Sequence, residues 1–251
     1  MKVSVLGSGS SGNSAYIECG ENSILIDAGL AARTISKRLS AIGKDVKDLD
    51  AVFVTHEHID HIKGLEKLSR ECDIYIKAKS LDACGLRLPR HKILDGKEIR
   101  FNDIAVGSFP VSHDAADPCG FLISGKGKVL GYATDLGKPD AAVKKAVQHA
   151  DCMIIEANHD IDMLLRGPYP YPLKERILSD TGHLSNLGAG LLIHGNGSEK
   201  LRTIFLAHLS QINNMKDLAM DTFLTMVGKN KSLRFDAIMT SQNDPTELVD
   251  V

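Results

Sequence analysis

The sequence predicts an α/β protein built as a four-layer αββα sandwich, and three observations carry that expectation. Short apolar runs recur with Gly, Asn or Asp between them. The order strands, helix, strands, helix is run through and then repeated along the chain. The run Ala51-Val52-Phe53-Val54 is apolar throughout rather than alternating, as a strand covered on both faces must be. The 251 residues, 43% of them hydrophobic, suffice for one sizeable core, and no composition break divides them, so a single domain over 1–251 is expected.

Taken in order, residues 3–6, 14–18 and 23–27 read as strands. A helix is expected over 30–42, where Leu30, Ile35, Leu39 and Ile42 recur at near-helical spacing before Gly43 stops it. The buried strand at 50–55 follows, then a helix at 62–69 and an extended stretch at 74–78. Strands at 99–101, 104–110, 120–124 and 129–133 form a ladder before a helix at 139–149 and another buried strand at 153–156. Residues 159–181 are expected to form a long loop able to act as a lid, because Gly167-Pro168-Tyr169-Pro170-Tyr171-Pro172 discourages regular structure. A helix from about Asn186, a strand at 203–206, a helix near 215–226 and a strand at 235–239 complete the chain.

Composition removes several classes of function. A net charge of -2, from 30 basic and 32 acidic side chains, supplies no long-range field toward nucleic acid or an anionic membrane. Any polyanion must therefore be gripped locally. No apolar run approaches the roughly 18 residues of a membrane span, and the chain opens on Met1-Lys2-Val3-Ser4-Val5-Leu6 without a charged-then-apolar leader, so a soluble protein without membrane contact is expected. Five cysteines, odd in number and far apart, make neither a disulfide framework nor a zinc knuckle, and fit a reducing cytoplasm.

The strongest chemical signal is Thr55-His56-Glu57-His58-Ile59-Asp60-His61, directly after the buried strand. Neutral imidazole nitrogens and a carboxylate at the end of a rigid strand can converge on cations. Strand alternation places His56 and His58 on one side, while Asp60 and His61, at the turn into a helix, face a second ion. Four ligands do not saturate two ions, so more are required at later strand ends. His113, Asp135 and His208 each close an apolar strand. By contrast His91, His149 and His194 sit among charged or loop residues and read as surface histidines.

Asp27 after an apolar strand, the HxHxDH run, then a lone His, a lone Asp and a lone His in that order resemble the five motifs of the metallo-β-lactamase fold, over residues 1 to about 210. The resemblance implies two divalent metal ions, Zn2+ or Mn2+ with Fe as a further option. His56, His58 and His113 would hold one and Asp60, His61 and His208 the other, with Asp135 bridging. A water shared by both becomes hydroxide near neutral pH and serves as the nucleophile. Asp27 resembles the buried carboxylate that hydrogen-bonds the HxHxDH loop, and Glu156 is expected in a similar supporting role.

Three stretches further resemble a narrower group, the YycJ/WalJ-type hydrolases proposed to act as bacterial DNA exonucleases. They are Gly7-Ser8-Gly9-Ser10-Ser11-Gly12-Asn13-Ser14, Glu156-Ala157-Asn158-His159-Asp160 with the loop from Arg166 to Tyr171, and Gly182-His183-Leu184-Ser185-Asn186. The resemblance implies that His183 binds the scissile phosphate or protonates the leaving oxygen, which makes Asp60, Asp135 and His183 the catalytic set. These stretches also set Ser10, Asn13, His159, Ser185 and Asn186 around the substrate, although Ser185 or Asn186 reads equally well as a helix cap, and Arg176, after the Pro-rich run, is expected as a forked phosphate contact.

Hydrolases of this fold share the dimetal core, so the substrate is decided by the residues around it. The missing leader disfavours a lactamase, and the stretch between Asp135 and His208 is too short for the inserted domain of ribonuclease J-like enzymes. A nucleic-acid phosphodiesterase is therefore expected, acting on single strands or duplex ends. A cyclic phosphodiesterase or glyoxalase-type thioesterase is the alternative. A diiron redox or binding protein ranks lower, because His58 stands where flavodiiron relatives carry a carboxylate. The backbone amides of Gly7 to Asn13, with Lys174 and Arg176, are expected to form a small positive trough for phosphates.

Overall fold

The computed structural model describes all residues 1–251. Two seven-stranded sheets face one another. The first is assembled from β1 (Lys2–Gly7), β2 (Ser14–Cys19), β3 (Asn22–Ile26), β4 (Ala51–Phe53), β5 (Asp73–Ile76) and β6 (His91–Ile93), with β14 (Val249–Asp250) closing its edge against β1. The second runs from β7 (Ile99–Arg100) through β8 (Ala105–Pro110), β9 (Cys119–Gly125), β10 (Lys128–Ala133), β11 (Cys152–Glu156) and β12 (Thr203–Ala207) to β13 (Asp236–Met239). Each sheet begins antiparallel and turns parallel, from β3 to β6 in one and from β10 to β13 in the other. The repeat expected from the order of elements is thus a repeat of sheet topology.

Nine helices complete the outer layers: α1 (Ala32–Ala41), α2 (Ile59–Ile62), α3 (Leu65–Leu68), α4 (Ala78–Cys84), α5 (Ala141–His149), α6 (Ile161–Arg166), α7 (Tyr171–Leu178), α8 (Asn186–Asn196) and α9 (Lys216–Val227). Three apolar clusters account for the four layers. The central one joins the sheets, with Phe53 of β4 stacked on Tyr75 at 4.7 Å and edge-on to Phe121 of β9 at 5.8 Å. A second seats α5, α8 and α9 on the second sheet, and a third seats α1 and its neighbours on the first. In α1 it is Ile35 and Leu39, four residues apart, that face the sheet.

Two expectations are corrected. Residues 159–181 are not one loop but contain α6 and α7. The prolines do not forbid α7, because Pro170 precedes its first turn and Pro172 lies within it, where a missing N–H costs nothing. The helix expected over 62–69 is two short turns, α2 and α3, separated at Gly64. The amide of Gly64 donates to Ala28 O at 2.7 Å, and a Cβ there would lie 2.5 Å from Leu30 O, so close backbone approach outweighs helical continuity. Helix α4 and strands β6 and β14 were not anticipated. β6 is wholly exposed and β14 has two residues, so neither leaves an apolar pattern to read.

Candidate metal centre

The parallel strands deliver the chemistry. Asp27 follows β3, His56 lies just beyond β4, Asp135 follows β10, Glu156 ends β11 and His208 follows β12. Open α/β sheets collect ligands at these carboxyl ends, where successive strands release their chains toward one crevice. Asp27, Asp135 and His208 sit there with φ of 60°, 53° and 56°, a left-handed conformation that costs a non-glycine residue about 1–3 kcal/mol. The strain is spent at these sites to turn side chains back across the strand ends.

The seven expected ligands meet. His56, His58 and His113 bring nitrogens within 4.8 Å of one another, as do the ligating atoms of Asp60, His61 and His208. Asp135 lies between the groups, with Oδ2 3.1 Å from His61 Nε2 and Oδ1 3.5 Å from His208 Nε2 and 3.8 Å from His113 Nε2. Asp60 Oδ2 is 3.6 Å from His61 Nε2 and 3.5 Å from His208 Nε2. His56 Nε2, His208 Nε2 and Asp135 Oδ2 are buried and make no hydrogen bond. Each such orphan costs about 1–3 kcal/mol, so this donor set fits cations and fits little else.

The far side of each ring fixes which nitrogen is free. Asp27, fully buried, accepts from the Thr55 amide at 2.8 Å, from the Thr55 hydroxyl at 2.9 Å and from His61 Nδ1 at 2.8 Å. With its proton given to Asp27, the Thr55 hydroxyl accepts from His56 Nδ1 at 3.0 Å. His113 Nδ1 donates to Gly182 O at 3.1 Å, and His208 Nδ1 to Glu156 Oε1 at 2.8 Å. In its neutral form each of these four rings thereby presents an Nε2 lone pair inward.

Charge balances within the cluster. Burial disfavours an imidazolium at His61 and at His208, yet Asp135 and Asp27 around the first, and Asp135, Asp60 and Glu156 around the second, hold both well above the ordinary histidine value. Burial likewise opposes a charged Asp135, but His208 and His61 outweigh it and hold the carboxyl far below its usual range. Burial, with His61 and the other imidazoles nearby, pushes His56 down.

Glu156 does more than support one ligand. Its Oε1 accepts from His183 Nδ1 and from His208 Nδ1, both at 2.8 Å, while Oε2 accepts from the amides of Leu136 and Leu184 at 2.9 and 3.0 Å. Burial raises its pKa, but His183 and His208 bring it down to about 2. His183 Nδ1 lies 3.8 Å from Asp135 Oδ1, and ligating atoms of Asp135, Glu156, His183 and His208 come within the spacing of a cation site. A cation there would have to break both 2.8 Å bonds to Glu156, and the hydrogen-bonded arrangement is the better reading. His183 is partly exposed, and Glu156 raises its pKa against the opposing effect of burial.

The residues expected around the substrate divide. Ser10 and Arg176 line a cleft beside His183. Asn13 does not reach it: the side chain is fully buried, Oδ1 accepts from Gly9 N at 2.8 Å, and Nδ2 lies 3.1 Å from His61 Nε2. Ser185 caps α8 by accepting from Gly188 N, and Asn186 pairs with Asn214 through two 2.9 Å bonds. His159 is buried, lines a different cavity of about 320 Å³, and leaves both ring nitrogens without partners; burial lowers its pKa to about 4.

The expected positive trough is also corrected. The amides of Ser8, Gly9, Ser11, Gly12 and Asn13 are satisfied by Ser241, Asn13, Gln242, Gly9 and Asp60. Lys174 donates to Leu165 O at 2.7 Å, and Arg176 Nε donates to Asp114 Oδ2 at 2.5 Å. Sequence reasoning missed Asp114 and Ser210, which share the cleft with His183, and took in Asn158 and Tyr169 only as members of longer stretches. Ser210 lies two residues beyond His208, the one signal that pointed to it; Gln242, which buttresses the Gly/Ser loop from the far end of the chain, left none.

Residues 22–204 match the family model described as a Beta-lactamase superfamily domain. The chain is 38% identical over 264 aligned positions to Exodeoxyribonuclease WalJ of Streptococcus pneumoniae serotype 2, covering 100% of this chain and 98% of that protein. It is 38% identical over 227 positions to Exodeoxyribonuclease YycJ of Bacillus anthracis, covering 87% and 86%. Among solved structures, the metallo-beta-lactamase fold protein YhfI of Bacillus subtilis superposes with a TM-score of 0.73 at 17% identity, over 98% of both chains.

Proposed function

From the premise that the chain belongs to the metallo-β-lactamase superfamily, and within it to the group containing WalJ and YycJ, we propose that it is a metal-dependent phosphodiesterase that degrades DNA from its ends. The observation that carries the reading is similarity to named exodeoxyribonucleases along the whole chain. The metal-ligand cluster and the Glu156–His183 pair supply the chemistry that such an activity requires. All of residues 1–251 serve this one catalytic domain, and the free cysteines, four of them buried, suit work in the cytoplasm.

His56, His58 and His113 would hold one divalent cation and Asp60, His61 and His208 a second, with the Asp135 carboxylate shared between them; zinc and manganese both suit this nitrogen-rich donor set. Bound there, the cations supply Lewis acidity toward a phosphoryl oxygen and lower the pKa of water to near neutrality. Asp27 and Thr55 hold the His56 and His61 imidazoles in the tautomer that leaves Nε2 free. Glu156 does the same for His208 and orients His183. With Nδ1 held by Glu156, which raises its pKa, His183 is placed to donate a proton to the leaving oxygen or to a phosphate oxygen.

The test is incubation of purified protein, loaded with zinc or manganese, with end-labelled single- and double-stranded DNA and RNA, alongside bis-p-nitrophenyl phosphate and a thioester. Progressive loss of nucleotides from DNA ends is expected. Thioester hydrolysis without phosphodiester cleavage would overturn the proposal.

A further inference from the structure

The cleft beside His183 has a volume of about 160 Å³, roughly half the low end of the ~300–1,000 Å³ typical of sites for drug-sized ligands. It is large enough for a single flat ring system and too small for a base pair. It adjoins the ligand cluster on two sides. Asp114 Oδ1 lies 3.3 Å from His113 Nε2, and Asn158 Nδ2 donates to His208 O at 2.9 Å. Whatever enters this cleft therefore lies within one nucleotide of a phosphate held among the metal ligands.

Its lining is divided between apolar and polar. Tyr169, half-buried, and Leu173 and Ile177 line it, all from the segment that sequence reasoning assigned to a lid. Asn158, also in the lining, uses its amide on His208 O while Oδ1 accepts from no protein donor. Ser210 Oγ accepts from Asn213 N at 3.1 Å, which leaves its proton free to donate. An aromatic residue, one free acceptor and one free donor in a single lining suit a nucleobase, whose flat surface stacks and whose edge carries both functions. The cleft is also braced. Arg176 Nε holds Asp114, Asp114 N donates to Thr181 O at 3.1 Å and Ser112 Oγ donates to Asp180 O at 2.8 Å, so α7 is tied to the loop carrying His113.

Resting on the exodeoxyribonuclease reading, we propose that this cleft binds the terminal nucleotide of the DNA strand, with Tyr169 as the stacking surface for its base and Asn158 and Ser210 as its polar contacts. The terminal base thereby determines which phosphodiester bond is presented to the cluster. The cleft makes Tyr169 a specificity-determining residue rather than a metal-site residue. Stacking of this kind is worth about 5- to 150-fold in binding.

The test compares kcat/KM on an oligonucleotide with an ordinary terminal nucleotide against the same oligonucleotide ending in an abasic residue. Wild-type protein should prefer the ordinary end by about 5- to 150-fold. Tyr169→Ala should bring the ratio close to one, and Tyr169→Phe should restore it; metal content and thermal melting of both variants check that they are folded. Equal cleavage of the two ends by wild-type protein, or a preference that survives Tyr169→Ala, would overturn the cleft assignment while leaving the exonuclease reading intact. Hydrolysis of bis-p-nitrophenyl phosphate with no attack on DNA would instead overturn that reading, and the assignment with it.

Discussion

Asp135 contributes the carboxylate nearest to both ligand groups, and one of its oxygens is buried without a hydrogen bond. Asp135→Ala removes the anion between two sites of like charge, so metal analysis should find at least one equivalent lost; retention of two equivalents would exclude a bridging role. His183→Ala should behave oppositely, keeping the metals yet losing about 10²–10⁴-fold in turnover on a substrate with a poor leaving group. Loss of metal from that variant would make His183 a ligand. Protons and cations compete for the same nitrogens. The raised pKa values of His61 and His208 stabilise the metal-free fold below the unfolded value of about 6.5, and that contribution is lost as pH rises through the folded values. The depressed Asp60 and Asp135 lose theirs only as pH falls below about 4. Between pH 6 and 9 the gap in Tm between metal-loaded and metal-stripped protein should therefore widen, and a narrowing gap would contradict this charge balance.

Secondary-structure elements were legible where a single apolar period governs them, as in β4 or in α1 with Ile35 and Leu39. They were illegible where tertiary contact decides, as at Gly64, in exposed β6, and in α7, whose prolines signal a loop unless their place in the first turn is known. The candidate ligands were legible because HxHxDH, His113, Asp135 and His208 all mark strand ends. The Gly/Ser turn was misread because its amides are used by residues far away in sequence, notably Ser241 and Gln242. A second turn holds the metal loop directly. A Cβ at Gly29 would lie 1.6 Å from Asp60 O and 2.6 Å from Asn13 N, both backbone atoms that cannot move alone. Gly29→Ala should displace the HxHxDH loop, costing roughly 1–3 kcal/mol or more in denaturant unfolding and weakening metal retention together. Normal stability with full metal occupancy would show that the turn does not position the loop.

At the scale of the whole molecule, a chain of net charge -2 must bind a polyanion through a small region. The structure narrows that region further than composition does, since Arg176 is engaged by Asp114 and Lys174 by a backbone carbonyl, and the amides of the Gly/Ser turn are mostly consumed. What remains is the ligand cluster with the cations it would hold, His183, and whatever part of the Arg176 guanidinium Asp114 leaves free. Such a surface neutralises only the phosphates nearest the cleft. Affinity for single-stranded DNA, measured with metal-loaded protein across a salt series, should fall with a shallow slope of about -0.7 per phosphate, corresponding to roughly two to four contacts. Arg176→Ala should leave that slope nearly unchanged if the guanidinium is spent on Asp114, and reduce it by about 0.7 if the pair opens to let Arg176 reach a phosphate. A slope implying eight or more contacts would reveal an extended binding face elsewhere on the molecule, and would contradict a design in which a weakly charged protein holds DNA by its last nucleotide and a few phosphates.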